Sequence, residues 1–196
     1  MALLKQTPSQ TVGPFFAYGL CPEQYHFDFR SLFTPVIAQP HVPGVHITLI
    51  GQVYDGQGQI VSDALIEAIQ ADADGQYVTS VEQARHSGFT GFARVGTGTD
   101  AQSRYVIETI KPGATGPASA PHLDVIVLMR GMLLHAYTRI YFDDEELANA
   151  QDDVLAAVPF ERRATLIAKR QAGGSRLVYR FDIHLQGPQE TVFFDL

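Results

Sequence analysis

His122 and Asp124 stand two residues apart, and on a β-strand residues i and i+2 share a face. With a distal His184 they supply the residue types of a two-histidine, one-carboxylate centre for ferrous iron. Seven histidines scattered among the aspartates give roughly half a His-x-Asp match by accident, so the pair alone does not choose between a metal site and a strand with a polar face. Asp72-Ala73-Asp74-Gly75 opens like a calcium loop, yet the twelfth position counted from Asp72 is Gln83, where an EF-hand needs a bidentate Glu. An ordinary Asp-Gly turn is the simpler reading. The sequence has no glycine-rich phosphate loop, no CxxC pair and no Gly-x-Ser-x-Gly elbow, which removes the commonest nucleotide, zinc and acyl-transfer chemistries.

Composition narrows the partners. The 196 residues suffice for one domain with a full core, and a net charge of −7 argues against nucleic acid or an anionic membrane, both of which need a basic patch. An anionic substrate would need local arginines instead. Cys21 is the single cysteine, so no intrachain disulfide forms, and the opening MALLKQTPSQ has too short an apolar run for a secretory signal. A cytoplasmic location is the expectation. The apolar run 125–129 is far short of the roughly 20 residues that span a bilayer. Charged residues make up 18% of the chain, against about 25% in ordinary globular proteins, so part of the surface is expected to be covered by another chain.

The elements that would position any site are short strands. Runs at 47–54, 64–71, 105–110, 123–129 and 137–142 are separated by Asp-Gly and Pro-Gly turns, and 177–185 alternates Leu177, Tyr179, Phe181, Ile183 and Leu185 against Arg180, Asp182 and His184. The stretch 143–158, acidic at its start and stopped by Pro159, predicts a helix, and 161–170 a second one. Residues 1–45 hold six prolines among unpatterned aromatics and predict an extended arm that packs on another chain. The expected architecture is mainly β: a two-layer antiparallel β-sandwich at 46–196, with a short helical insertion near 143–171 and the N-terminal arm at 1–45.

Several strings go further than pattern. TPSQTVGPFF at 7–16, GQVYDGQGQIVSDALIEAIQADADGQY at 51–77, ETIKPG at 108–113, APH at 120–122, RIYFDDE at 139–145 and RFDIHLQGPQETVFFD at 180–195 run in order over nearly the whole chain. Together they resemble the intradiol aromatic-ring dioxygenases, and among them the alpha chains of the two-chain members.

That resemblance implies ferric iron held by two tyrosinates and two histidines, hard oxygen donors suiting the trivalent ion. Tyr77 and His122 match the first tyrosine and the first histidine. Ala114-Thr115 stands where the second tyrosine should be, and Asp124 replaces the second histidine. Tyr77 and His122 are therefore expected to be relics, with no metal held by this chain, no catalytic residue in it, and Fe(III) bound by a paralogous beta chain.

The resemblance further implies larger assemblies of alpha/beta pairs, with protocatechuate and O2 as substrates and ring opening between the hydroxyl carbons to 3-carboxy-cis,cis-muconate, on the beta-ketoadipate route. Thr11, Gly13, Pro14 and Phe15 of the arm would line the substrate pocket, and Arg130 would attract the substrate carboxylate. Two rivals stay open: a self-sufficient intradiol enzyme acting on another catechol, and a non-catalytic β-sandwich binding module.

Overall fold

The computed structural model describes Pro8, residues 10–174 and residues 176–195. Among the described residues nine strands form in chain order: β1 (His46–Tyr54), β2 (Leu65–Ile69), β3 (Phe92–Gly96), β4 (Arg104–Ile110), β5 (Leu123–Leu128), β6 (Ala136–Phe142), β7 (Ile167–Arg170), β8 (Leu177–Arg180) and β9 (Ile183–His184). Their order is β3-β2-β5-β6-β7-β8-β1-β4, with β9 beside β1. Two four-stranded layers result, joined strand to strand where β6 and β7 pair briefly through Tyr141 with Ile167 and Phe142 with Ala168. Inward residues of both layers, among them Ile66, Val125 and Ile140 from one and Leu49, Ile107 and Tyr179 from the other, share one buried core. Each such side chain contributes about 1.5–3 kcal/mol by leaving water.

The sandwich is not wholly antiparallel. The β7–β8 hairpin returns beside β1, so β8 and β9 run parallel to β1. The alternating run 177–185 is interrupted after Arg180, where the Phe181 backbone presses on Gly51. A Cβ at Gly51 would lie 1.7 Å from the Phe181 carbonyl oxygen, a close approach only glycine permits.

The helical insertion also differs from expectation. It breaks into α3 (Glu146–Asn149), α4 (Asp153–Ala157) and a 3-10 turn at Phe160–Leu166, and 167–170 is strand rather than helix. Asp152 causes the first break. Its buried carboxylate caps α4 by accepting from Leu155 N at 2.7 Å, and it also accepts from Ala120 N at 2.8 Å and Tyr141 OH at 2.9 Å. Periodicity gave no sign of strand β3 or of helix α2 (Val81–Ser87). Helix α2 does carry a capping signature, with Ser80 accepting from Gln83 N and Gln83 reaching back to Thr79 N.

The arm is shorter than 1–45. Ile37, Ala38 and Val42 are buried in the domain's own core. The segment 34–38 runs between the two outer strands. Ile37 N donates to Glu108 O of β4 and Glu108 N to Pro35 O, while Arg94 N of β3 donates to Thr34 O and Thr90 N to Ile37 O. Nearer the terminus, α1 (Phe16–Leu20) sets Ala17 against Leu65, and the Gln24 amide clasps the Gly96 backbone at 2.7 and 2.9 Å. Phe15, Phe29 and Leu32 stay exposed, at 72%, 74% and 88%. None of the described helices is long and apolar enough to cross a membrane.

Candidate functional site

Strands β5 and β6 pair with Asp124 directly opposite Arg139. Leu123, Val125 and Ile140 point into the core, so alternation turns Asp124, Tyr137, Arg139 and Tyr141 to the outer face, with His122 just ahead of β5. The insertion covers part of that face, where Tyr141 packs with Ala120, Leu155, Val158 and Leu166.

One oxygen organises the cluster. Asp124 Oδ1 accepts from Tyr137 OH and, at 2.9 Å, from Arg139 Nε, and His122 Nε2 lies 3.8 Å from it. His122 Nδ1 sits 2.7 Å from the Ala120 carbonyl oxygen, which can only accept, so a singly protonated ring carries its proton there. Nε2 is left buried with a bare lone pair and no hydrogen-bond partner, an uncommon condition for an interior nitrogen. Burial pushes the Tyr137 hydroxyl up to about 12, helped by its bond to Asp124. Tyr77, 41% exposed, is raised by desolvation and by the Asp124 charge. Burial works against the charge of Arg139, but the hydroxyls of Tyr137 and Tyr141 and the Asp124 carboxylate more than restore it.

The sequence singled out Tyr77, His122 and Asp124; the structure sets His122 beside Asp124 and leaves Tyr77 within reach of the Asp124 charge. It also adds Tyr137 and Arg139. Their signal was present in the i, i+2 alternation of Tyr137, Arg139 and Tyr141, but only the strand register shows that Arg139 faces Asp124. The other sequence candidates lie elsewhere. His184 stacks on Tyr54 of β1 at 4.7 Å, in the other layer, so no two-histidine, one-carboxylate triad assembles. Asp72 Oδ1 accepts from Asp74 N and Gln76 N within its own turn. Gly75 in that turn has φ +77°, and its Cβ would strike the Ala114 carbonyl at 2.0 Å. Thr115, in the loop packed there, shares a 2.9 Å hydrogen bond with Ser119.

The donor types present, two phenols, an imidazole nitrogen and a carboxylate, would suit a ferric ion taken alone. The guanidinium of Arg139 does not. Two unit charges about 4 Å apart interact by about 4 kcal/mol at an effective dielectric near 20, so a fixed cation opposes a trivalent ion by roughly three times that. The centre as it stands does not fit iron. Among the described residues no cluster of three or more His, Cys, Asp or Glu side chains is placed to hold an ion.

A second region gathers the arm residues. Thr11 Oγ1 accepts from Gly131 N at 2.7 Å, docking the arm on the turn that carries Arg130. Arg130 is 62% exposed at its side chain, with Nε 2.6 Å from Asp63 Oδ2. Gly13 and Pro14 are exposed beside Phe15, and no atom lies within 4 Å of a Cβ built on Gly13. Beyond the turn, a cleft of about 440 Å³ opens among Met129, Met132, His135, Tyr137, Phe193 and Phe194. Leu133 and Leu134 beside it are 62% and 77% exposed. Thr11 and Arg130 are thus brought together, and the patch around them is open and apolar.

Residues 34–187 match the family model described as "Dioxygenase". The chain is 62% identical to the protocatechuate 3,4-dioxygenase alpha chain of Burkholderia cepacia, over the full length of both, and 32% identical to the beta chain from the same organism, over 76% of this chain and 67% of that one. The fold superposes on the dioxygenase domain of a carbohydrate-binding fusion from Streptomyces sp. SirexAA-E with a TM-score of 0.61 at 22% identity, covering 80% of this chain and 92% of that one. On a full-length relationship of this strength, the chain belongs to the intradiol dioxygenase family, on its protocatechuate 3,4-dioxygenase alpha-chain branch.

Proposed function

We propose that this chain is the iron-free half of a two-chain enzyme that opens protocatechuate with O2 to 3-carboxy-cis,cis-muconate, in a cytoplasmic assembly of alpha/beta pairs. The observation that carries the reading is full-length similarity to alpha chains combined with a centre whose place for a cation is taken by Arg139. In this reading the ferric ion sits on the beta chain, and the arm and the Arg130 turn complete the substrate pocket from across the interface. Support comes from the exposed aromatics of the arm and from the apolar patch at Leu133 and Leu134, surfaces that an interface core would bury.

When bound on the partner, the ferric ion supplies chelation of the diol and activation of the ring toward dioxygen. This chain's own residues orient and exclude. Arg130 draws the carboxylate toward the mouth, the Gly13–Pro14 backbone offers a stiff wall, and Phe15 keeps water from the ring. Co-expression with the neighbouring paralogous reading frame, followed by iron content and oxygen uptake with protocatechuate, tests the reading. Iron and turnover that appear only when both chains are present are the expected outcome. A chain that alone carries stoichiometric iron and turns over a catechol would establish the self-sufficient enzyme instead, and failure to co-purify with any iron-bearing paralogue would favour a binding module.

A further inference from the structure

We propose that Arg139 is a built-in cation that keeps metal out of the centre formed by Tyr77, His122, Asp124 and Tyr137, a set of donors that is otherwise competent to bind a metal ion. Three observations converge. The bare, buried Nε2 of His122 has no hydrogen-bond partner, and its Nδ1 is fixed on the Ala120 carbonyl, the arrangement that aims an imidazole lone pair at a ligand. That lone pair lies 3.8 Å from Asp124 Oδ1, the same oxygen that binds Tyr137 OH. Arg139 Nε reaches that oxygen at 2.9 Å from the directly opposite position on β6, so the guanidinium supplies the positive charge that a carboxylate among two phenols and an imidazole would otherwise take from an ion.

Exclusion of iron from this centre then rests on the presence of Arg139 as well as on Thr115 standing where the resemblance calls for a tyrosine. The inference concerns this chain's residues alone and stands whether or not a partner carries iron.

The test compares wild type with Arg139→Gln, Arg139→Lys and Arg139→Gln/Asp124→Asn in the full-length protein. All are prepared in parallel and supplied with ferric nitrilotriacetate, and metal is counted per copy of this chain relative to wild type, so that ions held by any co-purifying chain cancel. Arg139→Gln is expected to take up about one additional ion per chain and to develop a visible tyrosinate-to-iron absorption band. The lysine variant and the double variant should gain neither, the first because it keeps a cation and the second because it loses the anion. A folded Arg139→Gln protein with no more metal than wild type overturns the proposal, as does equal uptake by the lysine or the double variant. If Arg139→Gln does not fold, Arg139→Met takes its place. If neither folds, recovery of the native circular dichroism on adding ferric ions supports the proposal, and a chain that stays unfolded in their presence refutes it.

Discussion

Around Asp124 nearly every polar group has a partner on its own chain, and around Arg130 the partners run out. The first region lies under the insertion, with Asp124, Tyr137 and Arg139 bonded through one oxygen and Tyr141 tied to the thrice-bonded Asp152. The second is an exposed turn touched by one threonine of the arm, flanked by bare leucines and an open cleft. One region closes on itself, and the other presents an open, apolar surface. The difference separates residues whose bonds close within this chain from residues left open at its surface.

The largest effect is expected from Asp152→Ala. It strands two backbone donors and the Tyr141 hydroxyl in a buried place, and should cost about 3 kcal/mol in urea unfolding. A loss under about 1 kcal/mol would mean that the closed region is no more rigid than the open one. Removing residues 1–16 probes the opposite side. Unfolding stability should fall by less than about 1 kcal/mol, because Ala17 and Cys21 remain seated on Leu65, while, on the proposed reading, association with a beta chain and turnover are lost. Unchanged assembly after that deletion would remove the arm from the interface.

Tyr137→Phe offers a finer measure through pH. A tyrosine held at about 12 in the fold and near 10 when unfolded favours the folded state below pH 10, and loses that advantage as pH rises from 10 to 12, because the unfolded chain gives up its proton first. The variant should therefore show a shallower fall in stability across that window than wild type, and parallel curves would mean that neither burial nor Asp124 raises the Tyr137 hydroxyl. The smallest effect belongs to Arg130→Ala. A solvated charge pair is worth about 1 kcal/mol, so the apparent KM for protocatechuate should rise several-fold with iron content unchanged. Catechol, which has no carboxylate, should lose little, and equal losses for both substrates would make Arg130 a structural partner of Asp63.

The sequence made the closed region legible in part and the open region in outline. Tyr77, His122 and Asp124 were visible because motif order places them. Arg139 was not, because its meaning depends on register: a one-residue slip of β6 would carry it to the core face, and nothing in the local pattern fixes that register. The helix over 143–158 failed at Asp152, an acidic residue that suits a helix by composition and ends one by hydrogen bonding. The burial of Ile37, Ala38 and Val42 is not legible in the sequence because they lie among prolines and carry no period, and it comes from tertiary contact with the domain's core.

Those two strands, β3 and β4, are the outermost of the fold, and residues 34–38 hydrogen-bond to both sides. An unpaired outer strand is a template: its open row of peptide groups invites strands from other molecules, the first step toward fibres and swapped dimers. Here that row is occupied where the segment runs, so neighbours along it must recognise side chains rather than extend the sheet. Phe29, Leu32 and Leu134 are bare, yet that stretch of backbone offers no open row through which copies of the chain could join.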